Sequence, residues 1–350
     1  MEINKTKPIL VTGASGYIAS WIIKKLLEKG FTVRGTVRSL SNKNLYEHLL
    51  KMAEELPGNF IPFEADLLNE ESFDEAVKGC EIVIHTASPF YVTRIKDPQK
   101  ELIAPAFQGT RNVLNSVNKS QSVKKVVHTS SAAAMHGDNA DVLLTKNGFF
   151  DESHWNETSS AHYQPYPFSK TIAEKEAWKM AAAQNSWQLV VINPSFVLGP
   201  SLTNRIDSTS ISTILDFLKG KMAMGLPELY MGVVDVRNVA DAHIEAAFRD
   251  DTVGRHLLSS EQLSILAMAA TIEENFPGKY KLPRNTIPKF LAYMFGIFFG
   301  YSWTFVKKNV GFKFGLDNRK SIEKLGLQYI PFKQTIKDQV DQLVEDGMVK

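Results

Sequence analysis

The stretch that most constrains this chain is Thr12-Gly13-Ala14-Ser15-Gly16-Tyr17-Ile18-Ala19. An apolar run over 8–12 (PILVT) precedes it, and an amphipathic run over 17–28 (YIASWIIKKLLE) follows and stops at Gly30. Strand, glycine turn and helix in that order open a βαβ unit. Gly13 permits a tight turn, Gly16 lets the backbone approach a ligand, and the small Ala19 lets the helix lie close to the sheet. A helix N-terminus offers free N–H groups and a favourable dipole to an anion. The expected occupant is the pyrophosphate of a dinucleotide, held by Gly13, Ser15, Gly16, Tyr17 and Ile18.

The alternation continues. Strands are expected over 31–37, 60–63, 82–86, 125–129 and 188–193, and helices over 41–55, 70–78, 102–116, 163–184 and 235–248. With right-handed crossovers this gives an α/β chain: a Rossmann-type doubly wound parallel sheet with a smaller, mostly helical substrate lobe. After Pro200 the rhythm breaks, except at 235–248. The dinucleotide-binding domain is therefore placed at 1–200 plus 235–258, and the substrate lobe with the C-terminal region at 201–234 plus 259–350. A chain of 350 residues exceeds what one core usually holds.

Composition removes other classes. Forty Lys+Arg against 38 Asp+Glu leave a net charge of +2, so no basic field grips nucleic acid. The single cysteine, Cys80, supplies no internal disulfide and no cysteine zinc cage, which points to a reducing, cytoplasmic setting. The N-terminal MEINKTKP shows no export signal. The eight histidines have no metal spacing, and His85, His128 and His243 read as packed rather than ligating, so no metal is expected. The uncharged run over 290–306, flanked by Lys289, Lys307 and Lys308, reads as a lobe helix over an apolar pocket, with membrane contact as the disfavoured alternative.

The second strand ends Arg34-Gly35-Thr36-Val37-Arg38-Ser39, without the acid that would hold a ribose 2′-hydroxyl. Arg38, with Lys43 a few residues on, suits a 2′-phosphate and selects NADP over NAD. Arg34 reads as a solvated strand residue. Asp66-Leu67, after the third strand, is placed to meet the adenine edge, with a helix cap as its structural alternative. The small Thr86, Ala87 and Ser88 after the fourth strand permit close approach to the cofactor.

Tyr166-Pro167-Phe168-Ser169-Lys170 places a phenol and an ammonium four residues apart, on one helix face. A phenol titrates near about 10, and a neighbouring ammonium is expected to lower that value. Ser131, after the fifth strand, would hydrogen-bond a substrate oxygen and complete the set Ser131, Tyr166, Lys170. Tyr163 has Pro167 four residues on and no lysine partner. Asp151, Glu152 and Glu174 read as cap and surface residues.

Taken together, TGASGYIASW, GTVR, TSSAAA, YPFSK, NPSFVLGP, DVRNVADAH and LDNRKS resemble the extended short-chain dehydrogenase/reductases, in particular their dihydroflavonol-reductase-like branch. The resemblance runs nearly end to end and departs mainly at Ala19, where the third glycine stands. It implies that Tyr166 is the general acid in reduction, that Lys170 bonds the nicotinamide ribose, and that Ser131 orients the carbonyl. Pro194 and Val197 flank the nicotinamide, Ser210 reaches the cofactor, and Asn112 supports the site.

The implied activity is NADPH-dependent reduction of an apolar or aromatic ketone or aldehyde. Phe90, directly after the cofactor edge, is the first candidate for the substrate pocket. Tyr91, Phe196, Phe290, Phe295, Phe298, Phe299 and Trp303 serve equally as pocket or lobe core. The competing readings are a nucleotide-sugar epimerase or dehydratase, a hydroxysteroid dehydrogenase, and a non-catalytic NADP sensor. The partner is a small carbonyl compound, and the assembly a monomer or homodimer.

Overall fold

The structure, a computed structural model, describes residues 6–88, 96–203, 208–295 and 302–349. Along the first half run β1 (Ile9–Thr12), α1 (Tyr17–Glu28), β2 (Thr32–Val37), α2 (Glu47–Glu55), β3 (Asn59–Glu64), α3 (Asp74–Val77), β4 (Ile82–His85), α4 (Ala104–Lys119), β5 (Lys125–Thr129), β6 (Phe149–Phe150), α5 (Pro165–Ala182) and β7 (Gln188–Pro194). The second half holds β8 (Phe196–Leu198), α6 (Thr209–Leu218), β9 (Leu226–Pro227), β10 (Tyr230–Asp235), α7 (Val236–Phe248), β11 (Gly254–Leu258), β12 (Glu261–Ser264) and α8 (Ile265–Asn275). It ends with β13 (Thr286–Ile287), α9 (Lys289–Phe295), α10 (Trp303–Asn309), β14 (Gly315–Leu316), α11 (Arg319–Leu325) and α12 (Phe332–Glu345).

Seven strands form one parallel sheet in the order β3-β2-β1-β4-β5-β7-β11. The chain winds outward from β1 to β3, then returns to lay β4 on the other side of β1. Strand order reverses between β1 and β4, and the crevice beyond their carboxyl ends is where a doubly wound sheet takes its ligand. β1, β4 and β5 are buried along their whole length, as expected for strands covered on both faces. The helix α1 buries Ala19, Ile22, Ile23, Leu26 and Leu27 in the core beneath β1 and β2, beside Val239, Ala240 and Ile244 of α7. A second apolar cluster joins α6, α8 and α12 with Val233 of β10, separate from the cores of the large sheet.

Four expected elements differ in extent. A 3₁₀ turn at Lys43–Leu45 precedes α2, so 41–55 is not one helix. Only Asp74–Val77 of 70–78 is α-helical, because Glu71 takes a left-handed φ of 68° just before it. The helix expected from 163 begins at Pro165, because Gln164 is left-handed with φ 53°. The run 290–306 is not a continuous helix: Ser302 is extended, and its Oγ accepts the Phe305 N–H at 3.1 Å to start α10 afresh. Among the described residues no helix is long and apolar enough to cross a membrane. Residues 298 and 299 lie outside the described residues, and Phe290 and Trp303 are exposed.

Candidate active site

The glycine turn sits at the β1 end of the crevice. Gly13 takes φ +68°, and a Cβ there would lie 2.9 Å from the Ala87 Cα. The turn is locked by Ala14 N–H to the Thr36 carbonyl (2.8 Å), Gly13 N–H to Thr36 Oγ1 (3.0 Å) and Gly16 N–H to the Gly13 carbonyl (2.9 Å). At the start of α1, Gly16 is exposed and gives no side-chain cap, and the first turn carries no acid. That uncapped, side-chain-free helix end fits a pyrophosphate. Ser15 is half-buried and Ile18 packs on the core. The Tyr17 side chain faces elsewhere: its hydroxyl donates to the Gly199 carbonyl at 2.6 Å, and burial raises its pKa well above the usual value. Gly13→Ala is expected to cost about 1–2 kcal/mol from the left-handed backbone alone. Chemical denaturation and NADPH titration should show both a less stable protein and weaker binding.

The β4 end is tied to the same turn. Thr86 Oγ1 donates to the Thr12 carbonyl at 2.5 Å, and the Ala87 N–H donates to Thr12 Oγ1 at 3.1 Å. Arg38 is exposed at the end of β2, and its guanidinium makes no hydrogen bond or ion pair with a described residue. Lys43 is exposed on the 3₁₀ turn beyond it. Two exposed cations suit a phosphate on the adenosine ribose, and the nearby Glu64 carboxylate is engaged by the Leu40 N–H at 2.8 Å. Arg34 proves not to be a solvated strand residue. Its Nη1 donates to the carbonyls of Glu75 (3.2 Å), Ala76 (3.1 Å) and Lys78 (2.6 Å) and closes the C-terminal end of α3.

Asp66 is exposed, and its Oδ1 accepts the Leu68 N–H at 2.8 Å, which makes a turn rather than a helix cap. Asn112 is fully buried and donates to the Leu67 carbonyl at 2.8 Å, so its support goes to this loop. Pro194 is buried at the end of β7 beside Leu258, Val197 lies on β8 beside Val234, and Ser210 is buried in the first turn of α6. Among the described residues no hydrogen bond joins these three to Ser131, Tyr166 or Lys170. Phe90 and Tyr91 lie outside the described residues.

Ser131, Tyr166 and Lys170 do come together. Ser131 follows β5 in extended conformation, and its Oγ accepts the Ala133 N–H at 3.2 Å. That leaves its hydroxyl hydrogen available to an oxygen. Ser131 and Tyr166 are hydrogen-bonded through their side chains. Lys170, 7% exposed, directs Nζ to Ser88 Oγ at 3.1 Å, with the Tyr166 ring centre 5.9 Å away. These three side chains and the β4 end thus meet at the mouth of the crevice.

The phenol does not titrate as the spacing suggests. Burial pushes Tyr166 up to about 12, and the Ser131 hydrogen bond offsets only part of this. Lys170 is not among the groups that offset the burial, and its ammonium lies 3.1 Å from Ser88 Oγ. Burial brings Lys170 itself down to about 8 against the opposing pull of Glu174. Beneath the site, His85 Nδ1 lies 2.8 Å from Thr12 Oγ1, and its ring stands 5.2 Å from that of His128. Burial, followed by the Lys170 charge, lowers His85 to about 3, so this layer is neutral. Tyr163 donates to Asp138 Oδ1 at 2.6 Å and packs under the Lys308 ammonium, apart from Ser131, Tyr166 and Lys170.

Sequence reasoning missed Glu174. It is neither cap nor surface: it is fully buried on α5 and paired with Arg255 Nε at 2.6 Å. Asp151 does sit in an exposed turn and accepts from Ser153, while Glu152 Oε1 accepts the Leu257 N–H at 2.9 Å. The signal for Glu174 was its spacing, since 166, 170 and 174 share one helix face.

The model of the "NAD dependent epimerase/dehydratase family" matches residues 9–257. Cinnamoyl-CoA reductase CAD2 of Medicago truncatula is 36% identical over 346 residues, covering 98% of this chain and 97% of that protein. Dihydroflavonol 4-reductase of Gerbera hybrida is 33% identical over 285 residues, covering 80% of this chain and 75% of that protein. Among solved structures, Gre2 of Candida albicans in complex with NADPH superposes with a TM-score of 0.79 at 31% identity, covering 97% of this chain and 99% of that one. The chain belongs to the NAD dependent epimerase/dehydratase family of extended short-chain dehydrogenase/reductases, on its dihydroflavonol-reductase-like branch, whose chemistry is NADPH-dependent reduction of carbonyl groups.

Proposed function

We propose that this NADP-dependent oxidoreductase reduces an apolar or aromatic ketone or aldehyde, with Tyr166 as proton donor, Ser131 as carbonyl anchor and Lys170 as the cation beside them. The observation that carries this reading is the Ser131–Tyr166 hydrogen bond beside buried Lys170, at the mouth of a crevice that begins at the glycine turn. NADPH supplies the hydride when bound. Gly13, Ser15, Gly16, Tyr17 and Ile18 would hold the pyrophosphate through backbone groups, Arg38 and Lys43 the 2′-phosphate, and Asp66 and Leu67 the adenine edge. Thr86, Ala87, Ser88, Pro194, Val197 and Ser210 would line the remaining cofactor surface.

The high pKa of Tyr166 leaves its Oη protonated at neutral pH, the form that an acid needs. Ser131 Oγ can donate to the same carbonyl oxygen, because its own acceptor side is engaged by Ala133. Two donors converging on one oxygen stabilise the negative charge that develops there. Lys170 supplies a fixed positive charge only while protonated. Its folded-state value of about 8 lies below the ordinary one, so the charge is complete below that pH and lost as pH rises through it. The expected kcat/KM profile is flat near neutrality and falls by about tenfold per pH unit well above that value. A profile level to pH about 10, near the ordinary lysine value, would remove Lys170 from this role.

Substrate choice is assigned to the lobe at 201–234 plus 259–350 and to Phe90, and the cofactor domain to 1–200 plus 235–258. The protein is placed in the cytoplasm as a monomer or homodimer. A dehydratase would need acidic residues beside the serine, where Ala132-Ala133-Ala134 stand. The test is NADPH consumption over aromatic ketones, diketones, aldehydes and flavonoids, with nucleotide sugars as the competing panel. Turnover is expected only in the first panel.

A further inference from the structure

The carboxylate of Glu174 is fully buried beside the site and accepts from four residues. Ser130 Oγ donates to Oε2 at 2.5 Å, and Asn193 Nδ2 donates to the same oxygen at 2.7 Å. Arg255 Nε donates to Oε1 at 2.6 Å and Trp178 Nε1 at 3.3 Å. Each donor comes from a different place: Ser130 from the end of β5, Asn193 from β7, Arg255 from β11, and Trp178 from α5 itself. Asn193 also donates to the Ser131 carbonyl at 3.2 Å, and Arg255 reaches the Glu152 carbonyl at 3.0 Å while lying over the Trp155 ring.

Well-packed apolar residues usually replace a buried ion pair without loss of stability, so stability alone is a weak account of this one. Its position suggests another. Tyr166, Lys170 and Glu174 follow at intervals of four on one face of α5. Resting on the functional reading above, we propose that Glu174 is a positioning residue of the reaction: by gathering Ser130, Asn193 and Arg255 it holds the strand ends that aim Ser131 at Tyr166, and it sets a fixed negative charge one turn behind Lys170.

The groups facing Lys170 make the second part testable. Among the described residues they are Ser88 after β4, His85 on β4, His128 on β5, and Tyr166 and Glu174 on its own helix, with Arg255 of β11 behind Glu174. The two histidines are held neutral by burial and the tyrosine stays protonated, so Glu174 is the group that favours the charged lysine.

The experiment compares wild type, Glu174→Gln and Ser130→Ala in kcat and kcat/KM against pH for one carbonyl substrate, with NADPH titration to count folded sites. Glu174→Gln is expected to lower kcat per folded site about tenfold or more and to move the basic limb of kcat/KM about one pH unit lower. Ser130→Ala keeps the charge and loses the tie to β5, so kcat should fall severalfold while the limb stays in place. A Glu174→Gln protein with fewer folded sites, wild-type kcat at each and an unmoved limb overturns the proposal, because that is the behaviour of a structural pair alone. Should Glu174→Gln not fold, Ser130→Ala decides, and an unchanged kcat overturns it. A wild-type enzyme that reduces no carbonyl compound overturns the functional reading and this inference with it.

Discussion

Replacing Tyr166 with phenylalanine is expected to lower kcat about 10²–10⁴-fold, the range that a positioned proton donor contributes. The substitution removes one oxygen from a partly buried ring on the first turns of α5 and leaves the glycine turn, Arg38 and the Lys170–Ser88 contact in place. NADPH affinity should therefore stay within about threefold, less than the loss of one ordinary hydrogen bond brings. The size of the effect follows from geometry. Ser131 can still donate to the carbonyl oxygen, but among the described residues Tyr163 is committed to Asp138 and the histidines below are buried and neutral, so neither replaces the phenol. Steady-state kinetics with fluorescence titration of NADPH checks both halves. Full turnover in Tyr166→Phe would falsify the assigned acid.

Arg38→Ala is expected to raise the NADPH dissociation constant about 10–100-fold while leaving that for NADH nearly unchanged, since charge-assisted hydrogen bonds contribute about 1.5–3 kcal/mol. The prediction rests on an exposed guanidinium without a described protein partner, at the end of a strand that carries no acid. An exposed cation meeting a phosphate is screened by salt, so the difference between the two cofactors should narrow at high ionic strength. Lys43→Ala, farther along the chain on the 3₁₀ turn, should give a smaller loss of the same kind. Isothermal titration with both cofactors at two salt concentrations separates these outcomes, and equal losses for NADH and NADPH would count against a 2′-phosphate site at Arg38.

The parallel sheet was legible because its strands are buried on both faces and read as apolar runs, and because the glycine turn fixes where the first βαβ unit begins. The meeting of Ser131, Tyr166 and Lys170 was legible because helix periodicity and the end of a strand place side chains without reference to distant contacts. What escaped depends on partners far along the chain. Arg34 looks solvated until α3 presents three carbonyls to it, and Glu174 looks like a surface acid until Arg255 arrives from β11. The direction of the Tyr166 shift also escaped. The spacing brings the lysine onto the same face, but the rotamer that sends Nζ to Ser88 is decided by β4. The start of α5 moved because Gln164 donates to the Gly137 carbonyl and to Asp138 at 2.6 Å each, which holds it left-handed. Local pattern cannot announce such a tie.

Transfer of deuterium from NADPH labelled at the nicotinamide C4 tests the central claim most directly. With an aromatic ketone or aldehyde, the wild-type protein should yield an alcohol one mass unit heavier, with the label on the former carbonyl carbon and one NADP formed per product. Unlabelled product, or no consumption of NADPH with any carbonyl compound while a nucleotide sugar is converted, would contradict it.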